Sequence, residues 1–451
     1  RNWLDALEAD ANETRAVMVL RFGKVAVEGT WAPFQADVPH ALYSLSKSFT
    51  STAVGMAVSE GFFGLDEPIA SYFPDHIAPD PDPKLMRITV RHCLTMSTGH
   101  GTEPPNRLVE GKVNLDWIGA FLNHPIEFEP GSKFLYNSSA TYILSALIQK
   151  TTGKTLTEFL TPRLFGPLGI TQHPWEQDPN GIDAGGWGLR LTVESVAKFG
   201  QLLLQDGTWQ GHRVIPEGWV AQATGKQVEN EDGLEPHDWN QGYGFQFWRC
   251  RHDAYRGDGA FGQYCIVVPH LQLVVVMLSS SDDLSRTLNT VWNKLLPGVR
   301  PFTSDDLASN SGGVAVGGGA TDLDLAPRLA SLVSSPRASD PAPTTGEFHD
   351  GAGNLVAVTE TGINLEVGST RLGASTDAWT EQLVSMGDYQ FLAGVRAAWR
   401  GEDLVVKVVD LASPMMLTAQ LRLEEDSLKG KLAVEQTFGG GLLATLDLAR
   451  S

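Results

Sequence analysis

Apolar residues recur at helical spacing in some stretches and at strand spacing in others. Between residues 46 and 60, Phe49, Ala53, Val54, Met56, Ala57 and Val58 predict a helix that stops at Gly61. Tyr142, Ile143, Leu144, Ala146, Leu147 and Ile148 predict a second, and Phe199, Leu202, Leu203 and Leu204 a third with Thr192 as its N-cap. Thr155 and Glu158 form a capping box for a helix ending before Gly166-Pro167, and Asp282 precedes a run through Leu284, Leu288, Val291, Trp292 and Leu295. Strand patterns at 16–20 and 24–28 flank Arg21-Phe22-Gly23, and others at 266–268 and 271–278 flank Pro269-His270. These predict two hairpins of one antiparallel sheet surrounded by helices.

From Thr303 the pattern gives way to Ser311-Gly312-Gly313, Gly317-Gly318-Gly319 and Pro341-Ala342-Pro343, which is linker chemistry with one short amphipathic helix at 325–332. Beyond Gly346, alternating segments at 355–358, 404–409 and 417–421 predict an antiparallel β barrel or sandwich. The expected organisation is an α+β unit at 1–302, a linker at 303–345 and an all-β accessory unit at 346–451. The last holds no catalytic cluster; its expected roles are covering the cleft, self-association into a homo-oligomer, or plain stability.

At 451 residues, with 42% hydrophobic and 19% charged, the chain can bury a large core in two or three domains. A net charge of −19 disfavours nucleic acid and anionic membranes as partners. No apolar run is long enough to span a bilayer. Cys93, Cys250 and Cys265 show no metal spacing, and Cys93 and Cys265 lie in apolar segments, which favours a reducing, cytoplasmic setting. Arg1 is not an initiator residue, which leaves a removed leader open. The eleven histidines are scattered and predict no zinc site, with His100 reading as an exposed loop residue. Neither metal nor cofactor is expected.

The candidate chemistry begins at Ser44-Leu45-Ser46-Lys47. Residues three apart share a helical face, so Lys47 can lie beside the Ser44 hydroxyl while the helix N-terminus faces developing negative charge. Ser195-Val196-Ala197-Lys198 has the same spacing, but Ser195 follows Thr192 and reads as first-turn capping. Tyr136 lies on a loop before the second helix, where a cation such as Lys47 would be needed to hold it as phenolate. The run from Tyr255 through Gly257, Gly259 and Gly262 enters a strand whose glycine-rich start lets substrate approach the backbone and offers an oxyanion N–H.

In chain order these segments resemble the serine β-lactamase and penicillin-binding-protein superfamily, in particular its class C-like branch with the D-aminopeptidases and family VIII carboxylesterases. Leu94-Thr95-Met96-Ser97-Thr98-Gly99, Pro130-Gly131, Gly185-Gly186-Trp187-Gly188-Leu189 and Phe199-Gly200-Gln201-Leu202 extend the likeness over about residues 14–297. The resemblance implies a β-lactamase-like sheet flanked by helices, with a helical subdomain. It also implies Ser44 as nucleophile, Lys47 as its charge partner, Tyr136 as general base, the N–H groups of Ser44 and Gln263 as oxyanion hole, and a substrate-binding role for Ser138, Ala260, Phe261 and Gly262.

Two departures bear on substrate. Where the superfamily has Tyr-x-Asn, this chain has Tyr136-Asn137-Ser138. Where relatives place lysine or histidine for a substrate carboxylate, it has Ala260, with Arg256 as either a substitute cation or a solvated turn residue. The expected function is therefore hydrolysis of a small ester, amide or short peptide through an acyl-enzyme, with neutral esters favoured over carboxylate-bearing β-lactams. The alternatives are a D-amino-acid peptidase or amidase, a β-lactamase, and a catalytically silent ligand-binding homologue. Trp117, Trp175, Trp187, Trp239 and Trp248 are candidates for aromatic walls or for packing.

Overall fold

A computed structural model describes residues 2–9, 13–105, 108–109, 112–113, 115–231, 237–301, 339–386, 389–435 and 442–450. Most of the expected linker, including the helix expected at 325–332, lies outside the described residues.

The first sheet comprises β1 (Glu13–Arg21), β2 (Lys24–Thr30), β3 (Trp248–Arg249), β4 (Tyr255–Gly259), β5 (Gln263–Val268) and β6 (Leu273–Ser280), in the order β2-β1-β6-β5-β4-β3. The two expected hairpins therefore join in one sheet, through antiparallel pairing of β1 with β6. Strands more than 250 residues apart in the chain meet there. Every residue of β5 and β6 is buried, because helices cover both faces. On one face lie α1 (Asn2–Ala9) and, later in the chain, Leu284–Thr290; the opposite face carries a larger helical assembly.

That assembly surrounds α2 (Ser46–Ser59), whose residues from Ser46 to Ala57 are all buried. A helix buried on all sides must satisfy its own polar side chains, and Thr52 does so by donating to Ser48 O at 2.9 Å. α3 (Ser138–Thr152) packs beside it, capped by Asn137 and ended by Gly153 in the left-handed region. α4 (Val193–Leu204) packs on β6 and β5. The Thr155–Glu158 capping box is present, whereas the cap of the Leu284 helix is Asp283 rather than Asp282.

The C-terminal strands are β7 (Gly346–His349), β8 (Leu355–Val358), β9 (Gly362–Val367), β10 (Thr370–Ser375), β11 (Thr380–Met386), β12 (Tyr389–Arg400), β13 (Asp403–Asp410), β14 (Met416–Glu424), β15 (Ser427–Glu435) and β16 (Leu442–Arg450). They run in the order β10-β9-β8-β7-β16-β15-β14-β13-β12-β11, and pairing of Ser375 with Arg396 closes the sheet into a barrel. Closure removes the exposed edges of an open sheet. Its core is apolar, centred on Trp399, Phe348, Leu404 and Leu428. Of the two expected forms, barrel or sandwich, the barrel is the one formed, and the fold class is α+β.

The barrel docks through the β13–β14 loop. Arg15 donates to the carbonyls of Asp410, at 2.9 Å, and Ser413. Ala41 N–H donates to Ala412 O at 2.8 Å, Arg190 Nη1 to the same oxygen at 2.9 Å, and Ser280 Oγ to Pro414 O at 2.6 Å. Phe34 packs into Val409, Leu411 and Met416. No described helix is long and apolar enough to cross a membrane.

Candidate active site

Ser44 lies in a 3-10 turn, Tyr43–Leu45, leading directly into α2. Tyr43 just before it has φ 48°, a region that an aromatic residue rarely occupies. Its ring meets Phe261 edge-on at 5.3 Å, and Phe261 is itself at φ 64°. Glycine is required where β4 passes this turn, since a Cβ on Gly259 would collide with the carbonyl of Leu42.

Lys47 is 1% exposed and makes three contacts, with Nζ 3.0 Å from Ser44 Oγ, 3.1 Å from Ser138 Oγ and 2.8 Å from Gly186 O. An ammonium has three donors, so these contacts match its full capacity. Burial nevertheless pushes its pKa down to about 7, against the opposing pull of Glu103 and Asp258. Near neutral pH a substantial fraction is therefore free amine, able to accept the Ser44 proton.

Tyr136 precedes α3 and hydrogen-bonds Ser44. Its ring stacks on Trp248 at 5.4 Å and lies under Lys47 Nζ, 4.9 Å from the ring centroid. Burial and the Asp258 carboxylate push the phenol above its ordinary pKa, outweighing the hydrogen bond from Ser44. Burial thus opposes the phenolate expected from sequence, while the Ser44 hydrogen bond favours it.

In Tyr136-Asn137-Ser138, Asn137 caps α3 by accepting from Ala140 N–H at 3.1 Å, leaving Ser138 to meet Lys47. Ser138 N–H donates to Glu103 at 2.7 Å. Glu103 did not stand out in the sequence, and Gly186 did so only within the Gly185–Leu189 block, since an isolated acid and a backbone carbonyl carry no pattern.

Gln263 faces Gly259 across the β4–β5 hairpin, and its side-chain amide is committed to Ala260 O at 3.1 Å and Ser279 O at 2.7 Å. The sheet backbone pressed against the Ser44 turn is that of Gly259 in β4. Ala260 to Gly262 form the turn between those strands, with Phe261 against Tyr43.

Two readings are corrected. Arg256 is neither solvated nor available to substrate: it is fully buried in β4, donates to Asp258 at 2.9 Å and to Asp238 O at 2.8 Å, and lies over Trp239 and Trp248. Strand β4 is an inner strand, so its alternating side chains both face packed protein. His100 is 1% exposed, bonded to Thr98 Oγ1 at 2.8 Å, and burial lowers its pKa to about 4. The second Ser-x-x-Lys segment is structural, with Ser195 N–H donating to Thr192 at 3.2 Å and Lys198 pairing with Glu194 at 2.9 Å. No group of three or more described His, Cys, Asp or Glu residues is arranged to hold a metal.

Ser44 opens into a cavity of about 1070 Å³. Its walls include Tyr43, Trp175 and Trp187, with Glu103, Glu176 and Arg190 as charged groups. Tyr389, Ser413 and Met415 close it from the barrel side. Trp117 packs behind Trp187 at 5.5 Å, and Trp239 and Trp248 lie around Arg256.

A helical assembly against a five- or six-stranded antiparallel sheet, with a Ser-x-x-Lys segment entering the central helix, defines the serine β-lactamase and penicillin-binding-protein class. The chain belongs to the Beta-lactamase family, whose model matches residues 4–295. The 6-aminohexanoate-dimer hydrolase of Paenarthrobacter ureafaciens is 25% identical over 287 residues, 60% of this chain and 73% of that protein. Lovastatin esterase of Penicillium rubens is 28% identical over 169 residues, 33% of this chain and 42% of that enzyme. The octameric penicillin-binding-protein homologue of Pyrococcus abyssi shares the fold over 97% of both chains, at a TM-score of 0.54 and 14% identity.

Proposed function

We propose that the protein is a serine hydrolase that cleaves a small ester or amide by acyl transfer to Ser44. The observation that carries this reading is the 3.0 Å contact between Ser44 Oγ and a buried lysine whose pKa lies at about 7. A neutral amine at that distance is within reach for general-base catalysis. Relatives named for an amide-bond substrate and for an ester support both bond types.

In the first half-reaction the Lys47 amine takes the Ser44 proton as Oγ attacks the carbonyl. The Ser44 N–H and a second N–H from the β4–β5 hairpin, at the 260–262 turn or at Gln263, hold the oxyanion. The Tyr136 phenol donates to the leaving oxygen or nitrogen and is reprotonated from cavity water, to which the Lys47 ammonium releases the proton it took. Water then attacks the acyl-enzyme as the Lys47 amine takes its proton, and the resulting ammonium returns that proton to Ser44 Oγ as the acid departs. This chemistry uses neither metal nor cofactor.

Turnover of nitrophenyl esters, aminoacyl anilides and a chromogenic cephalosporin tests the reading. Ester or anilide hydrolysis that disappears in Ser44→Ala is expected, with the cephalosporin slower than the esters. Hydrolysis that survives Ser44→Ala, or none on any substrate, would overturn it.

A further inference from the structure

The cavity beside Ser44 is built by two parts of the chain, and its cation stands at their junction. Arg190 follows Leu189, whose carbonyl accepts from Leu42 N–H at 2.9 Å, so its backbone is tied to the segment that carries Ser44. Its guanidinium crosses to the barrel, where Nη1 donates to Ala412 O at 2.9 Å and the side chain bonds Tyr389. Both residues line the cavity. Among the described residues no carboxylate is within ion-pair distance of Arg190, in contrast to Arg256, which is ion-paired with Asp258. A guanidinium has five donors, and the two contacts made leave donors over for a ligand.

We propose that this junction is an anion subsite: Arg190, held by Tyr389 and the β13–β14 loop of the barrel, binds a carboxylate on the acyl portion of the substrate, distant from the scissile bond. This rests on the acyl-transfer reading above. Arginine's planar fork matches a carboxylate, and a half-buried guanidinium with carbonyl and hydroxyl neighbours is pre-organised for one.

Of the neighbouring acidic groups, Glu103 and Asp410 are engaged by hydrogen bonds of their own. Glu103 is engaged at the catalytic end by Ser138 N–H at 2.7 Å, and Glu176 shares the cavity wall with Arg190. Asp410 accepts from Ser413 Oγ at 2.6 Å, Ala412 N–H at 2.8 Å and the Tyr389 hydroxyl at 3.5 Å, so its lone pairs are engaged by the loop and by Tyr389. The subsite also reconciles the missing charge at Ala260 with a charged substrate. A β-lactam carries its carboxylate close to the reacting amide, whereas Arg190 meets the barrel. The class singled out is therefore half-esters or half-amides of dicarboxylic acids, or acyl groups ending in a carboxylate.

The test compares mono-nitrophenyl half-esters from succinate to suberate with neutral nitrophenyl esters of matched length, in wild type, Arg190→Gln, Arg190→Lys and Tyr389→Phe. Wild type is expected to prefer a half-ester of one chain length. Arg190→Gln should lower the half-ester to neutral-ester ratio of kcat/KM by about 10- to 100-fold, with a rise in KM, Arg190→Lys should recover part of it, and Tyr389→Phe should lower it less. Fluorophosphonate labelling of Ser44 in each variant reports the acyl-transfer machinery separately. Equal losses on both substrate sets, or no half-ester preference in wild type, with labelling retained, would overturn the subsite alone. Absence of labelling together with absence of all turnover would overturn the acyl-transfer reading and the subsite with it.

Discussion

Lys47 Nζ lies over the face of the Tyr136 ring, 4.9 Å from its centroid, and bonds Ser44 rather than the phenol hydroxyl. The ammonium thus meets the ring face of Tyr136 and donates to the Ser44 hydroxyl. Burial then acts oppositely on the two groups, lowering the lysine to about 7 and raising the tyrosine. That separation is the basis for proposing Lys47 as base and Tyr136 as acid.

The first prediction concerns pH. Since Lys47 must be neutral to act, kcat/KM should rise with pH through an apparent pKa of about 7 and level off above it. Lys47→Arg, which cannot lose its proton, should cost about 10² to 10⁴-fold. Between about 7 and the ordinary 10.5 the unfolded chain holds a proton that the folded chain has released, so this group makes stability climb with pH. Denaturant titrations of wild type and Lys47→Met across that window should differ in slope accordingly; parallel slopes would refute the depressed value.

A second prediction separates acid from base at Tyr136. Tyr136→Phe should slow cleavage of an anilide or alkyl ester by about 10² to 10⁴-fold. Nitrophenyl esters, whose leaving group departs without a proton, should suffer much less. Equal losses on both substrate types would remove the acid role.

Behind the site, Arg256 and Asp258 form a buried ion pair at 2.9 Å. Asp258→Ala leaves a buried guanidinium uncompensated and should destabilise the fold by about 3 to 5 kcal/mol. Chemical denaturation measures this, and a change below about 1 kcal/mol would show that the pair is not the charge partner the geometry implies.

Local pattern carried much of the structure. The Ser46–Ser59 and Ser138–Thr152 helices, the capping box at Thr155 and both hairpins follow from spacing and turn residues. Ser44 and Lys47 meet because three residues make nearly one helical turn. Long-range partners had no such signal. Arg256 lies next to a glycine-rich turn in sequence, yet its strand is internal to the sheet. Arg190 gains its neighbours from a loop 222 residues away, which no local pattern reports. The direction of the Tyr136 shift depends on burial against Trp248 and on Asp258, both distant in sequence.

Which serine reacts is the central question for this site. Incubation with a fluorophosphonate followed by peptide mapping should place the adduct on Ser44, with labelling lost in Ser44→Ala and retained in Ser195→Ala, because Ser195 is held by Thr192 as a helix cap. An adduct on Ser195, or labelling that persists in Ser44→Ala, would contradict it.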